Sequence, residues 1–132
     1  MLYLLDTDMC IAIIKKKPAQ VLQKLTQQDI SHVAISSITL SELEYGVEKS
    51  LYREQGKMAL VEFLAPLTIL PYDDGAAPFY GRIRAFLEKQ GRMIGPLDML
   101  IGAQALSIKA TLVTNNKREF ERIPGLKVEN WV

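Results

Sequence analysis

Short apolar runs separated by amphipathic stretches dominate the chain. Leu2–Leu5, Val33–Ser36, Leu67–Leu70 and Thr111–Thr114 are nearly continuous apolar segments of strand length, and a shorter terminal run lies around Lys127–Glu129. Continuity, rather than alternation with polar residues, predicts strands covered on both faces, as in a parallel sheet. Helical spacing occupies the gaps. It predicts Met9–Ile14, Ala19–Gln28, a helical pair at Ile38–Lys49 and Gly56–Leu64, a longer helix at Ala76–Lys89, and Leu97–Ile108. Asp73 or Asp74 is the expected cap of the fifth helix. The sixth is apolar nearly all round, which predicts burial.

Strands alternating with helices predict an α/β fold of three layers, helices on both faces of a short, mostly parallel central sheet. In such folds chemistry collects beyond the carboxyl ends of the strands. No repeat, low-complexity tract or Pro/Gly/Ser linker interrupts the pattern, so residues 1–132 are read as one domain.

Composition narrows the classes. Hydrophobic residues are 48% and charged residues 23%, which excludes a disordered chain. Sixteen Lys and Arg against fifteen Asp and Glu leave a net charge of +1, which excludes a wholly basic nucleic-acid coat but not a local basic groove. One cysteine (Cys10) and one histidine (His32) exclude a disulfide framework and a Cys/His zinc site. Both are read as structural. No apolar run approaches the ~18 residues of a membrane span. The opening Met1-Leu-Tyr-Leu-Leu-Asp6 lacks the basic start of a signal peptide, so the expected location is the cytoplasm.

The acids fall in a pattern. Asp6 directly follows the first apolar run and Asp8 comes two residues later. Glu42 lies in the helix after the second run, within Ile38-Thr-Leu-Ser-Glu-Leu-Glu-Tyr-Gly-Val47. Asp98 opens the buried helix in Gly95-Pro-Leu-Asp-Met-Leu-Ile-Gly-Ala-Gln-Ala-Leu106. Glu119 comes just past the fourth run, in Thr111-Leu-Val-Thr-Asn-Asn-Lys-Arg-Glu-Phe120. Acids distant in sequence thus converge on one rim of the sheet. Two carboxylates ~5 Å apart repel by about 3 kcal/mol at an effective dielectric near 20. A divalent cation relieves that repulsion, and oxygen ligands without Cys or His select Mg²⁺ or Mn²⁺. The matching reaction is metal-assisted phosphodiester hydrolysis.

Each residue alone has a simpler reading. Asp6 shapes a turn or caps a helix. Thr39-Leu-Ser-Glu42 fits a capping box. Asp98 complements a helix dipole after Pro96. Glu119 is a solvated acid beside Lys117 and Arg118. Only the joint placement favours a metal site. Lys15 in the Lys15-Lys-Lys17 run, Arg92, Lys117, Arg118 and Arg122 are candidates for a path along a phosphate backbone, against a default of solvated surface. Tyr3, Tyr45, Tyr52 and Trp131 are read as packing residues.

The four acidic segments, with Leu4-Leu-Asp-Thr-Asp8 first and Ile123-Pro-Gly-Leu-Lys-Val-Glu-Asn-Trp131 closing the chain, occur in the order found in PIN-domain ribonucleases. The chain resembles most closely the VapC toxins of bacterial type II toxin–antitoxin pairs. The resemblance implies a PIN-like domain in which Asp6, Glu42 and Asp98 hold Mg²⁺ or Mn²⁺. Many members carry an Asp where this chain has Asn116, and Glu119 then stands in as the fourth acid. Thr114 and Asn116 would orient the ligands or a water. It also implies a homodimer and a VapB-type antitoxin whose tail covers the active-site groove. Operator DNA would be contacted only through that antitoxin. Members sharing the Gly-Pro-Leu-Asp and Val-Thr-Asn-Asn wording cut initiator tRNA in its anticodon stem-loop, which makes tRNA the expected RNA and inhibition of translation the expected outcome. Position 8 is usually Asn or Ser in the family, so Asp8 is a departure that adds negative charge. Two alternatives stay open. Asp6-Thr-Asp8 also resembles haloacid-dehalogenase phosphatases, although Met9-Cys10 replaces their Gly-Thr. A receiver-like or RNA- or antitoxin-binding module without catalysis is the other.

Overall fold

A computed structural model describes all 132 residues. Five strands form its sheet: β1 (Tyr3–Leu5), β2 (Val33–Ser36), β3 (Thr68–Leu70), β4 (Thr111–Val113) and β5 (Lys127–Glu129). Seven α-helices accompany them: α1 (Thr7–Lys15), α2 (Ala19–Thr26), α3 (Ser37–Glu48), α4 (Arg53–Leu64), α5 (Ala77–Gln90), α6 (Pro96–Ser107) and α7 (Lys117–Phe120). The fold class is as expected, three layers α/β/α, but the sheet is parallel throughout rather than mostly. The one-turn α7 and a 3₁₀ turn at Ile30–His32 are additions that periodicity is too coarse to register. No helix is long and apolar enough to cross a membrane.

The strand order is β3-β2-β1-β4-β5. The chain builds outward from β1 through β2 to β3, then returns to the other side of β1 for β4. The reversal puts a crevice between the carboxyl ends of β1 and β4, where open α/β sheets bind ligands.

Alternation along the central strands divides the core. Leu4, Ala34 and Leu112 face α5, α6 and α7, joining Ile83, Leu87, Met99, Ile101, Phe120 and Ile123. Leu5, Val33, Ile35 and Val113 face the other side, against Met9, Cys10 and Ile13 of α1, Val21 of α2, Leu43 of α3, Leu60 of α4 and Trp131. The strands therefore read as unbroken apolar runs because both of their faces are covered.

The edges depart from that expectation. Thr68 and Ile69 of β3 are exposed, the latter at 39%, because β3 is an edge strand with a single strand neighbour. Tyr3 packs edge-on against buried Trp131, with ring centroids 5.4 Å apart, as expected of packing residues. Tyr45 and Tyr52 do not pack; they are 65% and 69% exposed on the α3–α4 hairpin. Cys10 is fully buried, whereas His32 is exposed. Asp73 does not cap α5. Its carboxylate accepts from Gly75 N at 3.0 Å, closing a turn before the helix, whose N-cap position is Ala76.

Two details hold α6 where the site needs it. A Cβ at Gly102 would lie 2.6 Å from Ile123 Cδ1, so a larger residue there would push the tip of the Ile123 side chain aside. Gln104, the buried polar residue of this helix, donates to the carbonyls of Leu70 (3.1 Å) and Pro71 (3.2 Å), tying α6 to the end of β3.

Candidate active site

Asp6 is the first residue after β1. Its backbone N–H donates to Val113 O at 3.0 Å, carrying the β1–β4 pairing into the crevice. Its carboxylate caps α1, accepting from Met9 N at 2.8 Å, and also receives a hydrogen bond from the Thr114 hydroxyl. Capping and membership of an acidic site are thus one arrangement: the extended turn that starts α1 also aims the carboxylate inward. Asp6 is only 3% exposed. Burial lifts its carboxyl to about 7, the charges of Asp8 and Asp98 push the same way, and the two hydrogen bonds pull against them.

Glu42 is not part of a capping box. Ser36 caps α3 through its hydroxyl, which accepts from Ile38 N at 3.0 Å. Glu42 sits a turn further on, where its Oε1 accepts from the Thr7 hydroxyl at 2.6 Å. Thr7 is not among the sequence candidates; its place between Asp6 and Asp8 is the one local signal for it. Asp98 lies in the first turn of α6, behind Gly95 and Pro96, and is half-buried. Its carboxyl is raised to about 6, first by burial and then by Glu119, Glu42 and Asp8. Asp8 is exposed in the first turn of α1.

Glu119 is positioned from β4. The Thr114 hydroxyl accepts from Asn116 N at 2.8 Å, and Asn116 Nδ2 donates to Glu119 Oε2 at 2.5 Å. A continuous hydrogen-bonded string therefore runs from Asp6 through Thr114 and Asn116 to Glu119. Asn116 occupies the N-cap position of α7, yet its side chain serves Glu119 instead of the helix backbone.

Five acids thus share one rim, and no basic side chain pairs with any of them; the two salt bridges, Arg53–Glu48 and Arg84–Glu88, are exposed and elsewhere. The cluster is open: no three of its carboxylates close around a common point, since Glu42 is turned to Thr7 and Glu119 to Asn116. Its donors are carboxylate and hydroxyl oxygens, the set that suits Mg²⁺ or Mn²⁺. Two carboxyls held above their ordinary range without a cationic neighbour also fit a dication, which favours the ionised form. His32 precedes β2, at the opposite end of the sheet, and has no place in this chemistry.

The basic candidates divide. Lys15 lies with Glu42 along an apolar groove of about 300 Å³ between α1, α3 and α4, lined by Ile11, Ile14, Leu43 and Val47. Arg92 and Arg118 meet in a separate concavity together with Arg122. Lys117 is exposed and lines neither.

An all-parallel sheet with acids gathered at its reversal point is the architecture of a nuclease class, and the PIN domain model matches residues 3–126: the chain belongs to the PIN-domain family. Its relatives within that family are VapC ribonucleases. It is 45% identical over 130 residues to Ribonuclease VapC2 of Haemophilus influenzae, covering 98% of both chains. It is 44% identical over 129 residues to the tRNA(fMet)-specific endonuclease VapC of Shigella flexneri, covering 98% of this chain and 97% of that one. The crystal structure of DNA-bound VapBC from Salmonella typhimurium contains a chain that matches over the full length of both, with TM-score 0.94 and 45% identity. VapBC2 from Rickettsia felis, bound to a promoter DNA fragment, matches over the same full length with TM-score 0.93 and 41% identity. The fold and these likenesses set aside the haloacid-dehalogenase and receiver readings in favour of a VapC-type nuclease.

Proposed function

We propose that the chain is a Mg²⁺- or Mn²⁺-dependent endoribonuclease toxin that hydrolyses a phosphodiester bond of tRNA, with initiator tRNA as the substrate and loss of translation as the result. The observation that carries this reading is the placement of Asp98 within electrostatic reach of Glu119, Glu42 and Asp8, with no basic side chain paired to any of them. The tRNA assignment is supported by relatives at 44% and 45% identity named tRNA(fMet)-specific endonucleases.

Asp6, Glu42, Asp98 and Glu119 would hold the metal. A dication bound there supplies a more acidic water and neutralises charge building on the phosphate. The chain's own groups do the rest. The Thr114 hydroxyl and Met9 N–H fix the Asp6 carboxylate in one orientation. Asn116 holds Glu119 toward the same rim. The Thr7 hydroxyl donates to Glu42 Oε1 and fixes that carboxylate beside the rim, leaving its other oxygen free as a metal ligand. Water, and not the RNA 2′-hydroxyl, is the nucleophile, so products carry 5′-phosphate and 3′-hydroxyl ends.

Solved structures of similar chains are toxin–antitoxin complexes. That likeness supports a VapB-type antitoxin as the inhibitor, a homodimeric toxin, and operator DNA contact only through the antitoxin. The apolar groove that runs from Ile11 to Glu42 suits the antitoxin's tail.

Incubating the purified chain with total tRNA and Mg²⁺ or Mn²⁺, with and without EDTA, tests the reading. Mapped fragment ends should carry 5′-phosphate, and EDTA should abolish them. Fragments ending in 2′,3′-cyclic phosphate, or cleavage that persists in EDTA, would refute it.

A further inference from the structure

A wholly polar, charged concavity lies outside the acid cluster. It measures about 340 Å³, and its four lining residues are Arg92, Arg118, Glu121 and Arg122. None is apolar, and none of the four takes part in a salt bridge. Three guanidinium groups against one carboxylate leave a local charge of +2 in a chain whose net charge is only +1. Like charges gathered in excess of their counter-charge repel, and an anion received among them relieves that repulsion.

The third arginine is built in. Arg122 Nη1 donates to Met93 O at 3.1 Å, bridging the residues after α7 to the loop before α6. Its Nε is buried and has no hydrogen-bond partner. A buried guanidinium N–H without an acceptor is costly. An anion in the concavity would give it one. Arg92 and Arg118 are exposed and free to close on the same ligand.

Position selects the ligand. Arg118 directly precedes Glu119, and Arg92 lies in the loop that leads to Gly95 and Asp98. The concavity is therefore built from the segments that adjoin Glu119 and Asp98 in the chain. A polyanion with one phosphate among the acids would have neighbouring phosphates beside the arginines. Guanidinium forks match phosphate oxygens in pairs, which lysines do not.

We propose that Arg92, Arg118 and Arg122 form a cradle for a backbone phosphate of the RNA substrate next to the one that is cleaved, so that a positive subsite registers the strand against the negative catalytic rim. This rests on the nuclease reading above and adds to it a place where the substrate is gripped.

The test separates grip from chemistry. Binding of a fluorescent anticodon stem–loop RNA of initiator tRNA is followed in EDTA as a function of salt, for the full chain, Arg118→Gln, Arg92→Gln, Arg118→Lys and a charge-matched control on α2, Lys24→Gln. Arg122 is left intact because its tie to Met93 also supports the fold. Each Gln variant in the cradle should weaken binding about 5- to 10-fold and lower the slope of log K against log salt by about 0.7, the value for one single-strand phosphate contact. Arg118→Lys should recover the slope but only part of the affinity. Lys24→Gln should change neither. In Mn²⁺, Arg118→Gln should raise KM with kcat within about twofold of the parent. If the parent cleaves RNA and the arginine variants match it in affinity and slope, the cradle is wrong while the nuclease reading stands. Variants that bind RNA normally but lose affinity for a VapB-type antitoxin would reassign the arginines to the protein partner and overturn the proposal. A parent that neither binds nor cleaves RNA would remove both readings.

Discussion

Replacing Asp6 by Asn should make the metal-free protein more stable at pH 8 while abolishing its catalysis. The Asp6 carboxyl is raised from 3.8 to about 7, chiefly by burial. In the unfolded chain the group titrates near 3.8. Between these values the folded state holds a proton that the unfolded state has lost. Stability therefore falls as pH rises from about 4 to about 7 and is flat above. A shift of roughly three units at about 1.4 kcal/mol each places the full cost of the ionised carboxylate near 4 kcal/mol. Rotation toward solvent relieves part of this, so about 2–4 kcal/mol should be recovered by Asp6→Asn at pH 8. With a urea slope near 2 kcal/mol/M, the midpoint should move up by about 1–2 M. Asn remains a good N-cap and can still accept from Met9 N, so near pH 4 the two proteins should unfold together. The assay is urea unfolding in EDTA at pH 4.5, 6 and 8, read as the difference between variant and parent so that other titrating groups cancel. Adding Mn²⁺ should stabilise the parent and leave the variant unmoved. A variant less stable than the parent at pH 8 in EDTA, or a difference that does not change with pH, would refute the electrostatic reasoning.

Three further expectations follow from the same geometry. Asp98→Asn should lower Mn²⁺-supported cleavage by at least about 100-fold, with the fold intact by circular dichroism, because it removes a carboxylate that lies within reach of the charges of Glu119, Glu42 and Asp8. Asp8→Asn should raise the cleavage rate, since Asp8 adds repulsion at Asp6 and Asp98 without being buried beside them; equal rates across pH would remove that idea. Gly102→Ala should cost no more than about 1 kcal/mol, read as a small drop in Tm, because the new methyl meets the movable tip of Ile123, whose Cδ1 would lie 2.6 Å away, and the helix propensity of alanine offsets part of the repacking; Ile123→Val should restore part of the loss.

The strands and long helices were legible because burial on two faces writes itself as unbroken apolar runs, and five strand segments fall within a residue of their expected positions. Exposure at the edges was not legible. Ile69 carries the same side chain on an edge strand as it would in the centre, and only the strand order tells the two apart. The acids were found because each follows a strand or opens a helix. Their second partners were not: that Thr7 serves Glu42, or that Asn116 abandons its capping position for Glu119, depends on side-chain directions set by packing. Arg122 had been placed near the fourth acid by sequence alone, but its anchor on Met93 spans 29 residues and has no local signature. The capping expectation at Asp73 failed for a local reason, since its carboxylate reaches Gly75 N two residues on before any helix begins.

The route of the chain has a bearing on how the protein is made. β1 is synthesised well before β4, which begins at Thr111, yet the two are neighbours in the sheet. Until that late segment emerges, Asp6 lacks both the carbonyl of Val113 and the hydroxyl of Thr114 that orient it. A polypeptide cut short before β4 therefore lacks the two partners that aim Asp6, and its acidic rim stays unassembled however much of the rest has folded.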